Sequence, residues 1–258
     1  MQFSTHSLTR RGLTTLAASA VFLSSALGIA SSSAMAQDAS TPSAASTPTS
    51  VVSNVDTSGC WDTAPDYSNV YPQWSQAPNM VIDTTKTYTA TMTTNLGVIT
   101  IALNASAAPV TVNNFVCLSG NGYYDKTYFH RILAGFVVQG GDPSAAGPNP
   151  VTGYSSGGTG GPGYQFQDEL PGDDLNYTQG TIAMANAGSG TNGSQFFICL
   201  DDLTDRLPKD YTIFGQVTGG LDVVTALAAT PVTTSALSGE ASAPTSSVGI
   251  VSVVITEA

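Results

Sequence analysis

The stretch Tyr128–Pro143, YFHRILAGFVVQGGDP, restricts this chain more than any other. Two short apolar runs, Tyr128–Leu133 and Phe136–Val138, flank Ala134-Gly135, which is the pattern of two strands joined by a tight turn. Side chains alternate faces along a strand. If the strands pair about Ala134-Gly135, Arg131 and Gln139, eight residues apart, share one face of the sheet beside Phe136. A lone arginine reads as a surface residue on an edge strand. An arginine held by a glutamine beside Phe136 is an unusual thing to build into a strand pair, so the hairpin is a candidate site as well as a piece of scaffold.

The remaining elements fall on both sides of it. Tyr88–Thr94 alternates with period two, Asn95-Leu96-Gly97 turns, and Val98–Leu103 returns, which predicts a second hairpin. Pro109 stands at the favoured first position of a helix. Val112, Phe115 and Val116 give that helix an apolar stripe, and Gly120 and Gly122 end it. Gly141–Gly163 is a long Gly/Ser/Pro loop, a length that in a compact domain points to function. Further strands are predicted at Thr181–Ala185, Gln195–Leu200, Thr212–Val217 and Ser247–Thr256. A short helix is predicted at Leu221–Ala229, stopped before Pro231. Eight antiparallel strands and two helices predict a mainly β domain, a closed barrel filled by side chains.

The first 36 residues read as an export signal. Thr9-Arg10-Arg11 precedes the mostly apolar run Leu16–Ala30, and Ala34-Met35-Ala36 is an A-x-A cleavage pattern, so the mature chain is expected to begin at Gln37. The paired arginines point to the twin-arginine route, with general secretion as the alternative. The expected location is outside the cytoplasm: extracellular, periplasmic or at the cell surface. Residues 37–58 are Ser, Thr, Ala and Pro with almost no large side chains, and are read as a disordered tether. Residues 59–85 carry both tryptophans, Trp61 and Trp74, with Tyr67 and Tyr71, and are read as an aromatic strap lying on the domain. Residues 86–258 form that domain.

Charge narrows the partners. Beyond the leader, five basic residues stand against eighteen acidic ones, a balance that repels nucleic acid and anionic membrane. No nucleic-acid partner is expected, and no membrane anchor once the signal is cleaved. His130 is the one histidine outside the leader, and Cys60, Cys117 and Cys199 have no metal-binding spacing, so no metal and no cofactor are expected. Cys60 and Cys117 can pair in an oxidising compartment or stay apart. Cys199, beside Phe197 and Ile198, reads as a buried hydrophobe.

Three motifs occur in order. F-H-R-I-x-x-G-F-x-x-Q-G-G-D lies within Tyr128–Pro143, M-A-N-A-G-x-x-T-N-G-S-Q-F-F-I within Gly180–Leu200, and F-G-x-V within Leu207–Val217. With these the chain resembles the cyclophilin family of peptidyl-prolyl cis-trans isomerases from about Lys86 to Ala258. The resemblance implies a closed eight-stranded antiparallel barrel capped by two short helices, with the substrate groove on its outer face. It implies a monomer acting on proline-containing polypeptides. It makes Arg131 the catalytic arginine, Gln139 the glutamine that orients it, and Phe136, Val137, Phe197 and Leu207 the proline cup. Val137 stands where the family commonly has methionine. Ala185, Asn186 and Ala187 correspond to the segment that grips the peptide backbone, Gln195 to the neighbouring glutamine, and Gly158 and Thr159 to the adjacent subsite. Tyr211 replaces a common histidine. Counting back from Phe214-Gly215 puts Arg206 where the family carries the tryptophan that hydrogen-bonds cyclosporin.

Two other functions compete. Gly188–Gly193 and Gly158–Gly163 both satisfy G-x-G-x-x-G, but a dinucleotide fingerprint must open a helix. Ser194–Leu200 reads as a strand, and the other match holds Pro162. The nearer alternative is a proline-peptide binding module or chaperone with little turnover. Such a module has no need of Arg131.

Overall fold

The computed structural model describes residues 53–68, 71–145, 148–149, 153–154 and 157–258. The export signal and most of the tether lie outside them. In chain order the elements are β1 (Ser53–Asn54), β2 (Tyr88–Thr94), β3 (Gly97–Leu103), α1 (Pro109–Gly120), β4 (Arg131–Leu133), β5 (Val137–Gly140), β6 (Pro148–Asn149), β7 (Gly153–Tyr154), β8 (Thr181–Met184), β9 (Phe196–Cys199), β10 (Ile213–Gly219), α2 (Leu221–Ala228), β11 (Val232–Thr234), β12 (Ala241–Pro244) and β13 (Ile250–Glu257). Nine strands form one antiparallel sheet in the order β1-β13-β2-β3-β10-β8-β9-β5-β4; β6 pairs β7 and β11 pairs β12 separately.

Alternation decides what each face does. In β2 the residues Tyr88, Ala90 and Met92 are buried while Thr89, Thr91 and Thr93 are partly exposed. The inward residues of the long strands share one core with α1, whose Phe115 meets Phe196 edge-on at 5.9 Å and packs near Phe214 at 5.3 Å. From Thr111 to Ser119 the helix is buried on all sides, so it serves as the plug of the curved sheet. Its N-cap, Ala108, has no side chain to offer the free amides of the first turn. Glu169 fills that role from a loop, accepting from the Val110 and Thr111 amides at 3.0 and 2.8 Å and from the Thr111 hydroxyl at 2.8 Å.

The sheet is an open half-barrel, which corrects the closed eight-stranded barrel expected from sequence. Its far edge, β4, has only three residues. The segment before it meets only the start of β13, through one isolated bridge from Tyr128 to Gly249, the Phe129 amide donating to the Val248 carbonyl at 3.0 Å, and the Lys126 and Ile250 amides donating to the Ile250 and Thr127 carbonyls at 2.8 Å each. β2 takes one edge of β13, and β1 takes the C-terminal end of the other through Ser53–Glu257 and Asn54–Thr256.

Ser53 and Asn54, which composition assigns to the tether, lie in the sheet, because ladder hydrogen bonds use backbone groups that small polar residues possess as fully as large ones. The strap packs on α1. Cys60 is bonded to Cys117, and Asn113 accepts from the Val81 amide at 2.9 Å while donating to the Asn79 carbonyl at 2.9 Å. Trp61 stacks on Trp74 at 4.2 Å, with Trp74 buried and Tyr67 left exposed.

Candidate active site

The site is a consequence of strand register. Arg131 on β4 pairs with Gln139 on β5, Gln139 with Phe197 on β9, Phe197 with Ala183 on β8, and Ala183 with Ile213 on β10. One row of side chains therefore crosses five strands on the outer face of the sheet, while Ile132, Val138, Ile198 and Ile182 turn inward to the core. The turn that aligns Arg131 with Gln139 runs through Gly135 at φ +68°, a conformation that L side chains rarely adopt, and the Phe136 amide closes it onto the Leu133 carbonyl at 2.9 Å.

Outward-facing apolar residues of this row form a second core, separate from the interior. Val137, Phe197, Ile213 and Leu203 are buried in it, and Phe136, Leu207 and Tyr211 lean on it half exposed. Val137, at 2% exposure, forms the floor of the patch, while Phe136, Leu207 and Tyr211 form its rim. Tyr211 meets Phe197 edge-on at 5.5 Å and is fixed by Tyr177, whose hydroxyl donates to the Tyr211 carbonyl at 2.8 Å. Arg206 does not reach for Asp202 or Asp205. Its guanidinium lies 5.2 Å from the centre of the Phe136 ring and donates to the Gly135 carbonyl at 2.9 Å. Cys199 sits beneath the patch, fully buried, and desolvation pushes its thiol up to about 12.

Beside the patch a chain of amides leads away from the arginine. Arg131 Nη1 donates to Gln139 Oε1 at 3.4 Å, Gln139 Nε2 to Gln195 Oε1 at 3.0 Å, and Gln195 Nε2 to the Gly160 carbonyl at 2.9 Å. Gln139 and Gln195 thus form one wall of a cleft of about 770 Å³ that also takes in Gly158, Thr159, Ala185, Asn186 and Ala187. The strap adds Tyr71 and Gln73 to that cleft. Of the expected site residues, Gln139, Gly158, Thr159, Ala185, Asn186, Ala187 and Gln195 line the cleft, Phe136, Val137, Phe197, Leu207 and Tyr211 belong to the patch, and Arg131 stands beside them through Gln139.

Two carboxylates shape the cleft without lining it. Asp142 is fully buried and accepts from the Ser144 amide and hydroxyl and from the Gly158 and Gly160 amides. Burial alone would raise its pKa, but these hydrogen bonds together hold it below 3.8. His130 lies under the same loop. A side chain on Gly157 would put its Cβ 2.6 Å from that of His130, so the loop crosses at this height because residue 157 is glycine. Burial lowers the His130 pKa to about 4, with Asp142 opposing, so the ring is neutral at neutral pH. On the opposite rim Asp168 holds the 186–192 loop through the Gly190 amide at 2.7 Å and Asn192 Nδ2 at 2.8 Å. Among the described residues no group of three or more His, Cys, Asp or Glu side chains is placed to hold a metal.

The family model for cyclophilin type peptidyl-prolyl cis-trans isomerase/CLD matches residues 89–255. The chain belongs to the cyclophilin family. It is 46% identical over 160 residues to peptidyl-prolyl cis-trans isomerase B of Streptomyces anulatus, covering 55% of this chain and 84% of that one. It is 42% identical over 141 residues to the peptidyl-prolyl cis-trans isomerase of Helicobacter pylori, covering 54% and 79%. In three dimensions it is similar to a crystal structure of a cyclophilin type peptidyl-prolyl cis-trans isomerase from Cryptosporidium parvum, with TM-score 0.54 and 31% identity over 66% of this chain and 97% of that one. It also matches that protein in the presence of the dipeptide Ala-Pro, with TM-score 0.53 and 32% identity over 65% and 98%. This cyclophilin is a peptidyl-prolyl cis-trans isomerase, a family that proline-containing peptides fit as substrates.

Sequence reasoning missed one residue at the centre of the site. Glu240, in the turn between β11 and β12, binds Arg131 with both oxygens: Nε to Oε2 at 2.7 Å and Nη2 to Oε1 at 3.1 Å. The β11–β12 hairpin was itself absent from the predicted elements. Val232–Thr234 is exposed throughout and gives no clean alternation, and nothing in a linear reading connects positions 131 and 240.

Proposed function

We propose that this cyclophilin rotates X-Pro bonds in exported polypeptides by non-covalent catalysis centred on Arg131. The X-Pro barrier is about 20 kcal/mol, from resonance that places nitrogen lone-pair density in the C–N bond. In the twisted transition state that density returns to nitrogen, so a donor that binds the twisted state more tightly lowers the barrier. Arg131 is a permanent cation with several donors, and Gln139 limits its swing. The proline ring seats against Phe136 and Phe197 over Val137, with Leu207 and Tyr211 at the edge. Ala185, Asn186, Ala187 and Gln195 take the backbone on the side away from Arg131, and Gly158 and Thr159 line the next subsite. No covalent intermediate is needed, and the protein acts as a monomer without a cofactor.

The observation that carries this reading is the register row that sets Arg131 beside Gln139 and Phe197 at the margin of a half-exposed apolar patch. NMR exchange on an Ala-Pro peptide tests it. Arg131→Ala lowers the rate by at least tenfold, about 1.4 kcal/mol of barrier, with an unchanged circular dichroism spectrum. Equal rates in a folded variant would remove Arg131 from the mechanism, and a wild type that does not accelerate the exchange would leave a proline-binding module. Export rests on the leader sequence, and a secreted product whose N-terminus is Gln37 is the expected outcome.

A further inference from the structure

Glu240 reaches the site from outside the three motif stretches. Its turn is tied down: the Ser235 amide donates to the Glu240 carbonyl at 2.7 Å, and the Glu240 amide donates to the Ser238 hydroxyl oxygen at 3.3 Å. The hairpin that carries it leans on β4. Leu237, near the tip of that hairpin, lies 3.8 Å from the place a Cβ would take on Gly158. Glu240 is about as exposed as the arginine it holds, 34% against 33%, so the pair is open to water and to an arriving peptide.

The geometry points to Glu240 as a positioning residue for Arg131. A guanidinium has two edges that a carboxylate can take bidentately. Glu240 takes the Nε/Nη2 edge, and Gln139 meets Nη1 on the other side. The side chain is therefore held from two elements, the β11–β12 turn and β5, and the hydrogens of Nη1 and Nη2 not engaged by either remain for the peptide. Gln139 cannot do this alone, since its 3.4 Å contact is long for a hydrogen bond. An arginine on a mobile stem loses orientation unless several donors are engaged, and a catalytic donor misplaced by about 1 Å loses most of its effect. Glu240 makes the arginine's geometry a property of the folded protein before substrate arrives.

This inference rests on the reading of Arg131 as the catalytic donor, and the two fail separately. The full mature protein is compared with Glu240→Ala, Glu240→Lys, Glu240→Gln, Arg131→Ala and the Arg131→Ala/Glu240→Ala double variant, by NMR exchange on an Ala-Pro peptide. Glu240→Ala is expected to lower kcat by about fivefold to tenfold with KM within twofold. Glu240→Lys, which repels the guanidinium, should lower it further, and Glu240→Gln, which keeps one acceptor, should recover part of the loss. The double variant should be no slower than Arg131→Ala. The Arg131 Nε–H signal should be slow to exchange with water in the wild type and lost in Glu240→Ala, an effect that loss of general stability would not produce. Wild-type or higher kcat in either folded Glu240→Ala or Glu240→Lys overturns the inference and makes the ion pair idle or a brake. Undiminished activity of Arg131→Ala sinks the arginine reading instead.

Discussion

Cys60 in the strap is bonded to Cys117 in the last turn of α1, across 57 positions of sequence and with their Cα atoms 5.8 Å apart. The bond fastens an otherwise peripheral segment to the helix at the centre of the core. The strap then carries Trp74 into the interior and Tyr71 and Gln73 to the cleft. Closing a loop of that length restricts the unfolded chain, an effect of roughly 2–4 kcal/mol. The Cys60→Ser/Cys117→Ser variant should lose stability in that range by urea denaturation. An unchanged midpoint would mean that the aromatic packing alone holds the strap.

Glu169 supplies what the first turn of α1 lacks. Three hydrogen bonds to a carboxylate at a helix N-terminus make it a cap in trans. Glu169→Ala should lower stability by about 1–3 kcal/mol, because the partly buried amide and hydroxyl of Thr111 lose their partner. The urea midpoint should fall at constant slope. A shift within error would show that water replaces the carboxylate.

Acid should weaken the fold in two stages. His130 is held to about 4, below its ordinary 6.5, so the unfolded chain binds a proton between those values that the folded chain refuses. Stability therefore falls as the pH drops from about 6.5 to about 4. Asp142 is held below 3.8, and its contribution, complete above that value, is lost as the pH falls through its lowered pKa. Melting temperature against pH between 6.5 and 4.5 should be flatter in His130→Gln than in the wild type. Parallel curves would remove His130 from this account.

Arg206 lies over Phe136 on the rim of the patch, at the position that the sequence motif assigns to the family's tryptophan. A large apolar ligand such as cyclosporin would have to cover a guanidinium that is now exposed, which costs free energy. Inhibition of the wild type should be weak, well above nanomolar, and should tighten at least tenfold in Arg206→Trp. Turnover of a small Ala-Pro peptide should stay within about twofold in that variant, since the proposed seat of the proline ring is Phe136 and Phe197. Nanomolar inhibition of the wild type would contradict this.

Much of the architecture was legible because it is local. The strands β2 and β3, α1 opening at Pro109, and the Arg131–Gln139 pairing follow from alternation, apolar periodicity and a turn that needs glycine. So does the rejection of a dinucleotide fold, since Phe196–Cys199 after the glycine-rich loop is a strand. Gln139, Ala185, Asn186, Ala187 and Gln195 of the cleft fall within the motif stretches, whereas Tyr71, Gln73, Gly158 and Thr159 lie outside them.

What sequence alone determined, then, is which side chains share a strand face and which chemistry that face can carry. Tertiary structure decided the rest. Whether the sheet closes depends on how far the segment before β4 pairs along β13, a matter of backbone groups that leaves no mark in side-chain pattern. Cys60–Cys117, Glu169 at α1 and Glu240 on Arg131 join residues 57, 58 and 109 positions apart. Contacts of that kind arise only after the core has placed distant loops side by side, so neither partner's local sequence names the other.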